Sequence, residues 1–182
     1  MRKQILLLDQ DNVLADWRGY FDSQIEERFG ITPIVAKQFK MLDNYPPEHH
    51  DKVQQVLDLP DFYLNLEVIP GAVDAINYLN ERFDVFICTS PYTTTLGSVS
   101  HKYEWVTKHL GPEWVNQVII TKDKTLVRGV ALVDDKPTVD GRVLPSWMHV
   151  HFNQPYNEVL DTNFRIKDWS QESCDYLIEH FA

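Results

Sequence analysis

The amino-acid sequence predicts an α/β fold in which a doubly wound parallel sheet carries a small helical cap inserted after the first strand. Short apolar runs alternate with amphipathic helical segments, and this alternation favours a parallel sheet covered by helices on both faces. The first two predicted strands end near residues 8 and 88, whereas an ordinary strand-to-strand crossover takes roughly 30 residues. The excess length predicts an inserted unit between them.

The predicted strands are short apolar runs bounded by charged or turn-forming residues. The first of them ends where Asp9 introduces a charge. The full set covers residues 4–8, 84–88, 118–120, 130–133 and 148–152. Such apolar strands are typical of a parallel sheet that is buried on both faces.

The predicted helices are segments in which apolar side chains recur at helical spacing. The first extends from Trp17 to Phe29, with Asp16 as its N-cap and Gly30 ending it. Two prolines make residues 44–50 a predicted loop. The apolar faces of the later helices are formed by Val53, Val56 and Leu57; by Ala72, Val73, Ile76 and Leu79; by Tyr103, Val106 and Leu110; and by Cys174, Leu177, Ile178 and Phe181.

These elements divide the chain into two predicted units. Residues 1–15 and 70–182 form the core that contains the sheet, and residues 16–69 form the helical cap. Because the cap leaves the core shortly after Asp11, we expect it to cover the end of the first strand. A cover of this kind suits a small substrate that has to be shielded from water.

Composition excludes several functional classes. The chain of 182 residues is 43% hydrophobic, which is enough for a packed core, and its net charge of −10 disfavours binding to a nucleic acid polymer. No apolar stretch reaches the length of about 20 residues that a membrane span needs. Two cysteines without CxxC spacing, and no leader-like apolar core, predict a cytoplasmic protein. No motif determines the oligomeric state, and a homodimer is kept as an expectation.

Paired carboxylates end two of the predicted strands. Asp9 and Asp11 follow the first strand, and Asp134 and Asp135 follow the strand of residues 130–133. Like charges held this close raise one another's pKa unless a cation lies between them. Because the carboxyl ends of parallel strands meet at one edge of a sheet, we expect the two pairs to converge. The predicted Mg²⁺ ligands are Asp9, a main-chain oxygen of Asp11, and Asp134 or Asp135.

Hydroxyl and ammonium groups near the ends of other strands complete a predicted site for phosphoryl transfer. Thr89 and Ser90 would donate hydrogen bonds to phosphoryl oxygens, and Lys124 would offset the negative charge of those oxygens. Asp9 would attack phosphorus as a nucleophile and form an aspartyl phosphate. Asp11 would protonate the leaving oxygen and later deprotonate the attacking water.

The order of these residues resembles that of the haloacid-dehalogenase-like (HAD-like) phosphatases and, among them, most closely the 5′(3′)-deoxyribonucleotidases. The motifs that carry the resemblance cover residues 9–16, 70–72, 85–91, 102–106, 109–112, 121–125, 134–136 and 145–147. The resemblance implies a HAD-like core and Mg²⁺-dependent dephosphorylation of deoxyribonucleoside monophosphates. It also implies that Lys102 and Lys124 lie beside the phosphate.

The same resemblance indicates where the base of a nucleotide binds. The positions matched to the family's aromatic base pocket are Trp17, Phe39, Lys40 and Met41. Two positions depart from the family, since Asn12 stands where Gly is usual and Leu57 where Trp is usual. Asn tolerates the left-handed conformation that Gly supplies, so we expect the turn to survive.

Two other functions fit part of this pattern. A phosphatase of the same chemistry could act on another small ester, such as a sugar phosphate. A non-enzymatic receiver-like signalling module also uses Asp, Thr, Lys and Mg²⁺, but its phosphorylated Asp ends a middle strand, whereas Asp9 ends the first. Among individual residues, Lys124 competes with Lys122 and Lys102 for the phosphate, and the resemblance favours Lys124. Trp17 fits either the packed core of the cap or a wall of the substrate site.

Overall fold

A six-stranded parallel sheet forms the centre of the computed structural model, which describes residues 2–95 and 97–182. Its strands are β1 (Ile5–Leu8), β2 (Asp84–Thr89), β3 (Val118–Ile120), β4 (Ala131–Asp134), β5 (Met148–Phe152) and β6 (Arg165–Ile166). They lie in the order β3-β2-β1-β4-β5-β6 with every neighbouring pair parallel. The strand order reverses between β1 and β4, which confirms a doubly wound sheet.

The register of the central strands brings the predicted site residues to one edge of the sheet. Leu8 is aligned with Ile87 of β2 on one side and with Val133 of β4 on the other. The main-chain N–H of Asp9 donates to the carbonyl oxygen of Val133 at 2.9 Å, which continues the alignment beyond β1. Residues far apart in the sequence therefore meet where these three strands end.

The helices of the structure are α1 (Trp17–Phe29), α2 (His50–Leu57), α3 (Ala72–Asn80), α4 (Ser98–His109) and α5 (Gln171–Phe181). Both predicted ends of α1 are confirmed. The side chain of Asp16 accepts a hydrogen bond from the N–H of Gly19 at 2.8 Å, as an N-cap does. Gly30 ends the helix in the left-handed conformation, with φ of 62°.

Two expectations about local structure are wrong. The predicted loop of residues 44–50 contains a 3₁₀ helix (Pro47–His49) and the first residue of α2, and another 3₁₀ helix (Met41–Asn44) precedes it. Proline is tolerated at the first position of Pro47–His49 because the N–H it lacks would have no partner inside the helix. The second error is β6, which the sequence did not predict because a strand of two residues has no recognisable apolar run.

The chain between β1 and α3 is helical and returns to the point where it left the core. The main-chain N–H of Asp16 donates to the oxygen of Glu67 at 2.8 Å, and that of Ile69 donates to the oxygen of Leu14 at 2.9 Å. Ala15 and Val68 form an antiparallel bridge between these contacts. We call residues 14–16 and 67–69 the neck. Within the described residues, no helix has both the length and the apolar character needed to cross a bilayer.

Candidate active site

A buried acidic cluster, formed by Asp9, Asp134 and Asp135, lies at the carboxyl ends of β1 and β4. One carboxylate oxygen of each residue lies within 4.8 Å of those of the other two. Burial, and after it the charges of Asp134 and Asp9, raise the pKa of Asp135 well above its ordinary value. Three oxygen ligands at this spacing fit a hard divalent cation, which would relieve the repulsion among them.

Lys124 neutralises part of the acidic cluster. Its Nζ lies 2.8 Å from Oδ1 of Asp9 and 2.6 Å from Oδ2 of Asp134. Burial alone would lower the pKa of this ammonium, but attraction to Asp134 and Asp9 outweighs burial and raises that pKa. Burial likewise opposes ionisation of Asp134, yet Lys124 keeps the pKa of Asp134 low, whereas burial leaves the pKa of Asp9 raised. Asp134 and Lys124 are therefore a fixed ion pair, and Asp9 is the more easily protonated partner.

Asp11 is paired with a second buried lysine, Lys102 of α4. The Nζ of Lys102 donates to Oδ1 and Oδ2 of Asp11 at 2.7 and 2.8 Å, and to Oγ1 of Thr89 at 3.1 Å. The same ammonium lies 4.6 Å from the centre of the Tyr63 ring. Asp9 and Asp11 therefore have different cationic partners although they are two residues apart. Different surroundings of this kind allow two carboxylates to take different chemical roles.

Exposure separates Lys124 from its competitor in the sequence, Lys122. Lys122 is exposed, and its Nζ donates to the carbonyl oxygen of Pro91 at 3.1 Å. Lys124 begins a short 3₁₀ helix (Lys124–Leu126) whose N-cap, Asp123, accepts from the N–H of Thr125. This turn directs Lys124 inward. The structure thus brings Lys124, and not Lys122, to the acidic cluster.

A cavity of about 540 Å³ opens onto these groups, with Asp9, Asp11 and Asp135 in its lining. A volume of this size suits a small organic ligand. The predicted substrate-binding residues that line the cavity are Trp17, Phe39, Lys40, Met41 and Ser90. Within the described part of the chain, no hydrogen-bond partner reaches the buried Oγ of Ser90. That hydroxyl is therefore available to a bound anion.

Trp17 belongs both to the cavity wall and to the packing of the helical segment. Its ring stacks on Phe21 with 5.6 Å between ring centres, and it lies 5.2 Å from the ring of Phe62. The same side chain lines the cavity. Trp17 therefore has a place both in the packing and in the cavity wall, and its contact with a substrate stays a prediction.

Several cavity residues were missed by sequence reasoning, among them Tyr63, Tyr92 and Tyr156. Tyr156 lies four residues beyond the end of β5, at the same edge of the sheet as the acidic cluster. Site residues collect at the carboxyl ends of parallel strands, and applying this rule to β5 would have indicated Tyr156. Tyr63 lies in a 3₁₀ helix (Phe62–Leu64) within the inserted segment, and no sequence signal marks it.

Comparisons of the sequence with known proteins agree on one family, and a solved structure shares the fold. Residues 3–179 match the family described as "5' nucleotidase, deoxy (Pyrimidine), cytosolic type C protein". The chain is 41% identical to the human cytosolic-type 5′(3′)-deoxyribonucleotidase, over 94% of this chain and 92% of that protein. It is 34% identical to the human mitochondrial 5′(3′)-deoxyribonucleotidase, over 92% of this chain and 79% of that protein. The magnesium-bound HAD hydrolase YfnB of Bacillus subtilis has the same fold, with a TM-score of 0.61 at 13% identity over 98% of this chain and 100% of that chain.

Proposed function

Because this chain belongs to the 5′(3′)-deoxyribonucleotidase family of phosphoric monoester hydrolases, we propose that it dephosphorylates deoxyribonucleoside monophosphates with Mg²⁺ through an aspartyl phosphate. One observation carries the proposal. Asp9 and Asp11 are paired with different buried lysines at the base of a cavity that has an aromatic wall. This arrangement provides a nucleophile, a proton donor and a place for an organic leaving group.

The residues present fit a Mg²⁺ ion. The acidic cluster offers hard oxygen ligands, and burial together with neighbouring carboxylates raises the pKa of Asp9 and of Asp135, an effect that a bound cation would oppose. We propose that Asp9, Asp134 or Asp135, and a main-chain oxygen of Asp11 hold the ion. When bound, Mg²⁺ supplies charge stabilisation to a phosphoryl oxygen.

The reaction follows from the roles of the side chains. A carboxylate oxygen of Asp9 forms a bond to phosphorus while the bond between phosphorus and the ester oxygen breaks. Asp11 gives its proton to that leaving oxygen, and afterwards takes a proton from the water that attacks the aspartyl phosphate. The second step breaks the bond between Asp9 and phosphorus and releases inorganic phosphate.

Three further groups surround the transferred phosphoryl group in this proposal. The unpartnered hydroxyl of Ser90 donates to a phosphoryl oxygen. Lys102 donates to both Asp11 and Thr89 and so holds these two side chains together. Lys124 balances the charge of Asp9 and Asp134. The contacts of Lys102 and Lys124 are formed in the protein before substrate arrives, which lowers the cost of organising them in the transition state.

The lining of the cavity favours a nucleotide as the substrate over an ester that has no aromatic group. Trp17 and Tyr63 present aromatic rings to the cavity, and a nucleobase stacks favourably on such rings. We further propose the cytosol as its compartment, because the relative that is 41% identical is named a cytosolic type. A homodimer stays a prediction.

The test is a panel of phosphomonoesters hydrolysed by the purified protein with Mg²⁺ and with EDTA. The panel contains dUMP, dTMP, the corresponding ribonucleotides, a sugar phosphate and p-nitrophenyl phosphate. We expect the highest kcat/KM for a deoxyribonucleotide, and only when Mg²⁺ is present. A preference for the sugar phosphate would replace the substrate assignment and retain the chemistry, whereas no hydrolysis of any ester would contradict both.

A further inference from the structure

Asn12 occupies an unusual backbone position between Asp11 and α1. Among the described residues other than glycine, it alone has a positive φ, of 57°. Its N–H donates to the carbonyl oxygen of Ala15 at 2.8 Å, so the turn is closed by the main chain alone. Glycine adopts this conformation without steric cost, and asparagine adopts it at some cost. The contacts of the Asn12 side chain therefore need an explanation other than the turn.

The side-chain amide of Asn12 joins the acidic cluster to α1. Its Nδ2 donates to Oδ2 of Asp135 at 3.0 Å and to the hydroxyl oxygen of Tyr156 at 3.3 Å. Its Oδ1 accepts from the main-chain N–H of Arg18 at 3.0 Å. The hydroxyl of Tyr156 donates to the same Oδ2 of Asp135. Oδ2 of Asp135 thus accepts two hydrogen bonds, and Oδ1 of Asp135 takes part in neither of them.

We propose that Asn12 is a positioning residue, which together with Tyr156 fixes the carboxylate of Asp135 in the orientation needed to bind Mg²⁺. This inference rests on the proposed function, because it concerns the metal site of that reaction. It adds a role for a side chain that contacts neither the phosphate nor the metal in the proposed mechanism.

The main chain of Asp135 is fixed separately from its side chain. Asn157 has no solvent exposure, and its Nδ2 donates to the carbonyl oxygen of Asp135 at 2.7 Å and to that of Phe152 at 2.9 Å. The remaining freedom of Asp135 is rotation of its carboxylate, and the bonds to Oδ2 remove that freedom. Hydrogen-bond partners of metal ligands typically contribute tenfold to a hundredfold in metal affinity.

The position of Arg18 gives Asn12 a second connection. Arg18 lies in the first turn of α1, next to Trp17 in the cavity wall. One amide therefore contacts a proposed metal ligand with its nitrogen and the helix that carries the aromatic wall with its oxygen. An effect of Asn12 on Mg²⁺ binding has to be distinguished from an effect of a loosened α1.

The experiment measures Mg²⁺ affinity of the full chain by isothermal titration calorimetry without substrate. The variants are Asn12→Gly, which keeps the turn, and Tyr156→Phe, which removes only the hydroxyl. The matched control is Asp16→Ala, since Asp16 caps the same first turn of α1 through the N–H of Gly19. We expect Asn12→Gly to bind Mg²⁺ about tenfold more weakly or worse. We expect Tyr156→Phe to shift the affinity in the same direction, and Asp16→Ala to stay within about twofold of the parent.

Circular dichroism and thermal unfolding in EDTA establish whether each variant is folded. If Asn12→Gly does not fold, the Mg²⁺ affinity of Tyr156→Phe tests the inference instead. Parent-like affinity in Asn12→Gly would overturn the inference. An equal loss in Asp16→Ala would overturn it as well, because the effect would then come from α1. If the parent protein binds no Mg²⁺, the metal assignment of the proposed function fails, and the inference fails with it. If the parent protein binds Mg²⁺ and the variants bind it equally well, the inference about Asn12 fails and the metal assignment stands.

Discussion

Lys102 donates a hydrogen bond to each carboxylate oxygen of Asp11, at 2.7 and 2.8 Å, from a side chain that has no solvent exposure. The contact joins α4 to the turn that follows β1. Removing one partner of such a pair leaves the other charge poorly solvated. The free-energy cost of that change exceeds the net stabilisation that the pair provides. The orientation of Asp11 therefore depends on a cation supplied from a distant part of the sequence.

The variant Lys102→Met tests that dependence. We expect kcat to fall by roughly 100-fold or more, the size of effect that a general acid–base group contributes, because Asp11 loses its orientation. Activity is measured with p-nitrophenyl phosphate at saturating Mg²⁺. The matched control is Lys122→Met, which removes an exposed ammonium and should leave kcat unchanged. Parent-like kcat in Lys102→Met would remove this lysine from the mechanism.

Asp9→Asn should abolish turnover while the fold is preserved, because the amide keeps the shape of the carboxylate and cannot attack phosphorus. Loss of a covalent nucleophile typically costs several orders of magnitude in kcat, on the order of 10⁴ or more. Acid quenching with a radiolabelled substrate should trap labelled protein for the parent and none for the variant. Residual hydrolysis within about tenfold of the parent would contradict the covalent mechanism.

Removal of the metal should remove activity. EDTA is expected to abolish hydrolysis, and added Mg²⁺ to restore it, since the acidic cluster cannot otherwise lie beside a phosphate dianion. The double variant Asp134→Asn/Asp135→Asn should weaken Mg²⁺ binding far more than it lowers the Tm of the metal-free protein. Calorimetry and thermal unfolding measure the two effects separately. Full activity in chelator would refute the metal assignment.

Trp17→Ala tests the base-binding role of the cavity wall. Stacking of a base on an aromatic ring contributes about 1–3 kcal/mol, so KM for dUMP should rise roughly tenfold to a hundredfold. Hydrolysis of p-nitrophenyl phosphate should be nearly unchanged. Tyr20→Ala is the matched control. Tyr20 belongs to the same helix as Trp17, its ring centre lies 5.1 Å from that of Phe62, and it is not among the residues that line the cavity. Equal losses on both substrates in Trp17→Ala would assign Trp17 to packing alone.

His149 should make the fold less stable in acid. Burial, and secondarily the neighbouring His151, lower the pKa of His149 from 6.5 to about 4. Because the folded value is the lower one, the neutral ring favours the fold. The stabilisation is present above pH 6.5 and is lost as the pH falls toward 4, by up to about 3 kcal/mol.

Urea unfolding at pH 7.5 and pH 4.5 measures that loss. The parent should lose more stability between the two pH values than His149→Gln, in which position 149 no longer titrates. Carboxylates far from position 149 contribute equally to both proteins, so the difference reports on His149 together with the neighbouring His151, whose ring centre lies 4.0 Å away. Identical losses would show that His149 does not titrate in this range.

The sequence predicted the part of the site that depends on strand ends. Asp9, Thr89 and Asp134 were correctly placed at one edge of the sheet because apolar runs define where parallel strands stop, and parallel strands stop at the same edge. Residue pattern alone did not separate Lys124 from Lys122, and only the family resemblance favoured Lys124, since a 3₁₀ helix and its cap decide which of them turns inward. Tyr63 was missed for a similar reason, because a turn in an inserted segment has no periodicity from which to infer direction.

The neck has a consequence for how this protein can change over evolutionary time. Since residues 14–16 and 67–69 are hydrogen-bonded to each other, the stretch between them leaves and rejoins the core at one point. Chain inserted at such a point can lengthen, shorten or diverge without shifting the register of β1 against its neighbours. Asp9 and Asp11 precede both segments of the neck, whereas Trp17 and Tyr63 lie in the stretch between the two segments. Mutations in that stretch can therefore reshape part of the cavity while the carboxylates proposed to carry out the reaction keep their positions.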